Sequence, residues 1–189
     1  MSRAAIDSPQ KAVEATCERL ATTATLSRSL LDALGLVLAS DATTDRRSPP
    51  FDVSAMDGYA VAAASIRAGR VRVAGEARIG TDPGRLDDAA AAIRVATGAG
   101  IPRGADAVIR REDVTESDGA FIDVPEATVA ACRPGLAVRR AGENAPAGSP
   151  LGLTGREIAA HVAASLASAG AATVRVHEPV RVGILTTGD

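Results

Sequence analysis

Three short segments carry the residue types suited to chemistry. The first runs Pro49-Pro50-Phe51-Asp52-Val53-Ser54-Ala55-Met56-Asp57-Gly58-Tyr59-Ala60-Val61. It sets two acids, a hydroxyl and a glycine among bulky side chains. A carboxylate such as Asp57 suits proton transfer or a hard cation, while Ser54 and Gly58 offer a hydroxyl and close backbone approach. A packed connection between two modules would have the same composition. The second segment, Arg94 to Asp106, contains Thr97-Gly98-Ala99-Gly100. Glycines after a strand let backbone N–H groups turn toward an anion, and Thr97 adds a hydroxyl donor. It matches neither a Walker A loop nor a dinucleotide fingerprint and has no lysine, so a plain β-turn also accounts for it. The third, Arg133 to Asn144, gathers Arg139, Arg140, Glu143 and Asn144. A guanidinium fork suits oxyanions and phosphates, although a solvated hairpin has the same make-up. No Ser-His-Asp or Cys-His arrangement is present to support nucleophilic catalysis.

Composition narrows the setting of these segments. The 189 residues carry 21 Lys+Arg and 23 Asp+Glu, a net charge of −2, with 46% hydrophobic and 23% charged residues. That balance is ordinary for a globular protein and argues against disorder. It gives no basic surface for nucleic acid, and the three aromatics, Phe51, Tyr59 and Phe121, make no stacking platform. Two of them, with the internal Met56, fall within residues 51–59, where they are expected to anchor the segment so that Asp57 points outward. Cys17, Cys132, His161 and His177 are isolated, without metal-ligand spacing. No apolar run is long enough to span a membrane, and Met1 to Gln10 lacks the apolar core of a signal peptide. A cytoplasmic protein with free thiols is expected.

The elements that must position these segments read as follows. Ser8-Pro9 opens a helix, with Val13, Cys17 and Leu20 at helical spacing. A second helix is expected from Leu26 to Leu34, ending at Gly35, followed by the apolar run 36–39. Short strands are expected at 71–74, 93–96, 107–109 and 121–124, with Asp118-Gly119 favouring a hairpin. A last helix is expected from Arg156 to Ala169, with a Thr154/Glu157 capping box and Ile158, Val162 and Leu166 on one face. Strands at 173–176 and 180–185 follow. The apolar end running into Thr186-Thr187-Gly188-Asp189 reads as the first strand of a parallel sheet meeting a ligand loop. The chain is therefore expected to be the front part of a longer protein.

The order of these motifs resembles the N-terminal part of the MoeA family, the molybdopterin molybdenumtransferases, which include the gephyrin E domain. The matching stretches are 50–61, 93–108, Arg139-Arg140-Ala141-Gly142-Glu143-Asn144 with Ala147-Gly148, and 182–189. The resemblance implies an elongated α+β protein that lacks a downstream molybdopterin-binding α/β domain. Residues 1–25 would form an N-terminal helix, 26–52 with 138–178 a connecting module, 53–137 an inserted β-rich module, and 179–189 the first strand of the truncated domain.

The same resemblance implies insertion of molybdenum from molybdate into adenylylated molybdopterin, with Mg²⁺ and release of AMP. A homodimer and an upstream molybdopterin adenylyltransferase are the implied partners, with no nucleic acid and no membrane. By position, Asp57, Thr97 and Glu143 would be catalytic, with Asp57 also the metal ligand. Ser54, Gly98, Arg139, Arg140, Asn144 and Asp189 would bind substrate. The pterin's own sulfurs would hold molybdenum, so no cysteine is required at the site. Two departures stand out: Val53 replaces a usual Asn, and Asn144 replaces a usual acid. With the remaining domain absent, the isolated chain is expected to be weakly active or inactive. A non-catalytic interaction or dimerisation module derived from the family is the rival reading.

Overall fold

A computed structural model describes residues 8–184 and 186. In chain order the elements are α1 (Pro9–Cys17), β1 (Thr25–Ser29), β2 (Val53–Ser54), β3 (Gly58–Val61), β4 (Gly69–Ala77), β5 (Ala92–Val95) and β6 (Ala107–Arg110). After a 3₁₀ turn at Arg111–Asp113 come β7 (Thr115–Ser117), β8 (Phe121–Val124), α2 (Glu126–Ala131), β9 (Val138–Arg139), α3 (Ala160–Ser168) and β10 (Thr173–His177). The chain is α+β and divides into two units, Met1–Thr43 with Pro150–Asp189, and Thr44–Ser149. No described helix is long and apolar enough to cross a membrane.

The discontinuous unit is built on the antiparallel pair β1–β10, in register Leu26↔Val176. Alternation in β10 sends Val174 and Val176 inward, onto Val162 and Leu166 of α3 and onto Ala33, Leu38 and Ile158. Helix α1 starts where expected, with the Ser8 side chain accepting from the Lys11 N–H. The helix expected over 26–34 is not formed. Leu26, Leu30 and Leu34 have helical spacing, but backbone pairing with β10 claims residues 26–29 as strand, and Leu31 and Leu34 lie exposed. The last helix begins at Ala160 rather than Arg156, and Thr154 and Glu157 form no capping box. Ile158 instead exchanges backbone hydrogen bonds with Gly35 and Leu36, which holds the chain extended up to Ala159. Residues 180–184 form no strand, and Leu185 lies outside the described residues.

The continuous unit is a six-stranded sheet ordered β6-β3-β5-β4-β8-β7. Only β4–β5 is parallel. Strand alternation divides its apolar residues between two cores. Tyr59, Val61, Ala107, Ile109, Ile122 and Val124 face one side, and Ala60, Val108, Ile93 and Val95 face the other. Strands β3 and β7 are four places apart in this order, roughly 19 Å in a flat sheet. Yet the Tyr59 hydroxyl donates to Glu116 Oε1 at 2.8 Å. The sheet is therefore curled until its two ends meet, with the first core inside the curl.

Strand β3 lies between β6 and β5, buried along its whole length, where the sequence pattern suggests a loop. Continuous burial on both faces removes the alternation that marks a half-buried strand. The hairpin expected at Asp118-Gly119 is formed, both residues taking positive φ (51° and 65°) between β7 and β8.

Ala137 also adopts a positive φ, 51°, a region that costs an L-residue other than Gly, Asn or Asp roughly 1 kcal/mol. Its carbonyl is fixed by the Ala55 N–H at 2.9 Å, so the strained turn is what feeds β9 into its pairing with β2. Ala137→Asn is expected to raise unfolding stability by about 0.5–1 kcal/mol, measured by urea denaturation. An unchanged or lower midpoint would refute the strain.

Candidate functional site

The segment 52–57 is held at both ends and in the middle. At its start, the Asp52 carboxylate accepts from Arg140 Nη1 at 2.5 Å and from the Ala141 N–H at 2.9 Å. In the middle, β2 pairs with β9, Val53 opposite Arg139. At its end, Asp57 Oδ1 accepts both the Thr97 backbone N–H, at 2.7 Å, and the Thr97 hydroxyl, at 2.8 Å. Asp57 itself is exposed. Its second oxygen, Oδ2, has no recorded hydrogen bond among the described residues, so one acceptor lobe remains for a ligand. The Thr97 N–H and hydroxyl hold its carboxyl below the usual range, against some desolvation, with the Arg111 charge adding to them.

Structure assigns the other expected residues distinct duties. Ser54 is buried and its hydroxyl donates to the Met56 carbonyl at 2.5 Å, closing the local turn. The Gly98 N–H donates to the Ser54 carbonyl at 2.8 Å, tying the Thr97 loop to the segment. Glu143 accepts from the Arg140 N–H at 3.0 Å and faces Arg139 Nε at 3.5 Å. Asn144 accepts from Arg139 and turns its amide toward Ser48 Oγ at 3.4 Å. Arg139, Arg140, Glu143 and Asn144 thus form one cluster around Asp52, while Asp57 and Thr97 form another at the far end of the same segment. Asp189 lies outside the described residues. Partial burial raises the Asp52 pKa, but the Ala141 N–H, the Arg140 contact and the Arg47 charge outweigh it and hold the carboxyl low.

One expectation about the anchors is corrected. Tyr59 is buried at 1% exposure, but Phe51 and Met56 are 47% and 40% exposed. The segment is held by hydrogen bonds rather than by three bulky side chains. The Phe51 ring lies against Gly100, where an added Cβ would sit 3.1 Å from it.

A group that sequence reasoning missed adjoins Asp57. Glu116 accepts the Tyr59 hydroxyl, meets Arg94 Nη2 at 3.2 Å and Arg111 Nε at 2.8 Å. Arg94 also lies over the Tyr59 ring, 5.5 Å from its centroid. Tyr59, Arg94 and Arg111, with Asp57 and Glu76, line a polar cavity of about 110 Å³. Burial, then the Glu116 contact, pushes Tyr59 up to about 12, so it stays a donor, while its hydrogen bond and the two arginines keep Glu116 ionised. The one available signal was that a buried tyrosine hydroxyl requires a partner. A larger cavity of about 480 Å³ beside Ile109, Ala127 and Leu136 is mostly apolar; its charged pair, Arg110 and Asp113, is closed on itself at 2.7 and 2.8 Å. The small polar cavity is the better candidate for chemistry.

These shifts fix the pH response of the fold. Asp52, Asp57 and Glu116 are all depressed in the folded chain. Their contribution is present above the unfolded carboxylate range, roughly pH 4, and is lost as pH falls through the lower folded values. Tyr59 acts oppositely: its contribution is present below about pH 10 and is lost as pH rises toward its folded value of about 12. Thermal unfolding is expected to show a plateau between these limits. Asp52→Asn should flatten the acid limb, and an identical limb in that variant would refute its share.

Comparison with known proteins agrees with this architecture. The family description "MoeA N-terminal region (domain I and II)" matches residues 6–170. The molybdopterin molybdenumtransferase of Haemophilus influenzae is 34% identical over 162 residues, covering 85% of this chain and 39% of that protein. The Bacillus subtilis protein of the same name is 35% identical over 169 residues, covering 85% and 38%. A solved molybdopterin biosynthesis MoeA protein from Pyrococcus horikoshii superposes with a TM-score of 0.71 at 29% identity, covering 89% of this chain and 43% of that one. The chain thus spans about two fifths of the length of the relatives it matches. With two thirds or more of its own length matched in each comparison, the chain belongs to the MoeA N-terminal region family.

Proposed function

We infer that this chain supplies one wall of a molybdopterin molybdenumtransferase site, acting in molybdenum cofactor biosynthesis. In this reading the complete protein inserts molybdenum from molybdate into adenylylated molybdopterin and releases AMP. It works as a cytoplasmic homodimer supplied by a molybdopterin adenylyltransferase. The observation that carries the reading is the Asp57–Thr97 pair: an exposed, ionised carboxylate with one oxygen fixed by two donors and the other open.

Asp57 is then the group that takes or returns a proton as oxide leaves molybdate. Thr97 fixes its orientation and keeps it charged. The Arg139–Glu143–Asn144 cluster stiffens the other end of the segment, so that Asp57 is presented on a rigid support. Asp57 also fits the demands of Mg²⁺, which is commonly held by one or two carboxylates plus substrate phosphates and water. Among the described residues no group of three or more His, Cys, Asp or Glu side chains forms a cage, so Asp57 would be its main protein ligand. Bound there, the ion would neutralise phosphate charge.

The rival, a non-catalytic module, draws on Arg139 and Arg140 being occupied by Asn144 and Asp52. A molybdenum-insertion assay on the full-length protein separates the two. Thr97→Val removes the hydroxyl donor but keeps the backbone N–H, and is expected to lower turnover roughly tenfold without loss of fold. Turnover equal to that of the parent would overturn the role given to Thr97, and a full-length protein with no insertion activity would leave the rival standing.

A further inference from the structure

We propose that Arg94 and Arg111, forked on the single carboxylate of Glu116, form an oxyanion subsite beside Asp57 that takes one tetrahedral oxyanion group. The subsite rests on the reading of Asp57 as the centre of the site and names what lies next to it. Neither arginine is spent by its contact with Glu116. Arg111 approaches Glu116 Oε1 through Nε at 2.8 Å, and Arg94 approaches Oε2 through Nη2 at 3.2 Å. No other side-chain hydrogen bond to either guanidinium is recorded among the described residues. Each therefore keeps N–H groups for the cavity that both line.

The local charges make this a discriminating site. Glu76, also on the cavity wall, is paired with Arg78 at 3.0 Å. Two guanidiniums, Glu116 and Asp57 sum to zero, so the subsite cannot gather anions by bulk charge. It must select by the fit of N–H donors to tetrahedral oxygens. The cavity, about 110 Å³, has room for one such group.

Placement is set by the fold. Tyr59 on β3 and Arg94 on the adjacent β5 are cross-strand partners, and Glu116 on β7 reaches them only because the sheet curls. The buried Tyr59 ring beneath Arg94 and its hydroxyl on Glu116 fix the carboxylate from which both arginines hang. Arg111 is fixed from its other side as well, its N–H donating to the Asp57 carbonyl at 3.1 Å.

Two sources provide this chemistry: a free inorganic oxyanion such as molybdate, or the phosphate of an ester substrate. The test titrates the chain with molybdate, inorganic phosphate, methyl phosphate and chloride, following arginine Nε–H resonances by NMR. Saturable shifts at Arg94 and Arg111 with a tetrahedral oxyanion, and none with chloride, are expected. Arg111→Ala should weaken binding at least about tenfold, and Arg111→Lys should restore part of it as a point charge without the fork. Saturation by molybdate and not by methyl phosphate assigns the free oxyanion; the reverse assigns the ester. Linear shifts with every anion, or full binding in Arg111→Ala, would overturn the subsite. If Arg111→Ala misfolds by circular dichroism, Arg111→Gln provides the same comparison. Binding retained alongside a full-length protein with no insertion activity would keep the subsite and remove the transferase reading.

Discussion

Replacing Gly58 with alanine is expected to destabilise the protein by at least about 4 kcal/mol. An alanine Cβ at this position would stand 2.0 Å from the Ile109 carbonyl oxygen and 3.1 Å from the Arg110 Cα. Both are backbone atoms of β6, which pairs with β3 through Gly58↔Arg110 and Tyr59↔Ile109. No rotamer change relieves a backbone clash, so the ladder must open by more than 1 Å at a strand buried on both faces. That opening also displaces Tyr59, the next residue, from Glu116. The measurement is thermal or urea unfolding beside Gly75→Ala, whose added methyl meets nothing within 4 Å. Gly75→Ala should unfold close to the parent, and equal midpoints for the two variants would show that β3 and β6 are not locked as described.

The second large effect concerns chemistry rather than stability. Asp57→Asn in the full-length protein is expected to lower molybdenum insertion by at least about 100-fold while leaving the melting temperature nearly unchanged. The amide oxygen still accepts the Thr97 N–H and hydroxyl, so the loop geometry survives. The charge does not, and neither does the open lone pair that receives a proton or a cation. A stability-neutral variant with large loss of turnover assigns the effect to the carboxylate itself. Turnover within threefold of the parent would remove Asp57 from the reaction.

Sequence patterning located the elements it describes best: half-buried strands and the helix capped by Ser8. Residues 121–124 alternate and form β8 as expected, and the strand expected over 71–74 lies within the longer β4, whose outer residues are polar. It misread residues 26–34, where Gly35 as a helix end argued for a helix and the deciding partner, β10, lies about 150 residues away. It missed β3 because a strand buried on both faces shows no alternation. Spacing alone does not link Asp57 to Thr97; resemblance brought both to the site, and the hydrogen bond between them became visible only in three dimensions. Glu116 had no local signal, since it stands in a short polar strand whose neighbour in space, Tyr59, is 57 residues earlier.

The clasp at each end of segment 52–57 has a consequence for biogenesis. The Asp57–Thr97 bond closes a loop of 40 residues, and the Asp52–Arg140 bond one of 88. Loop-closure entropy grows slowly with length, but non-local pairing delays folding. During synthesis at about 5–20 residues per second, the Asp57 end becomes lockable seconds before Arg140 has been made. The nascent chain therefore passes through an interval in which Asp57 has its partner but lacks its rigid support. Competence at this site arrives in two stages, and the later one waits on the arginine cluster.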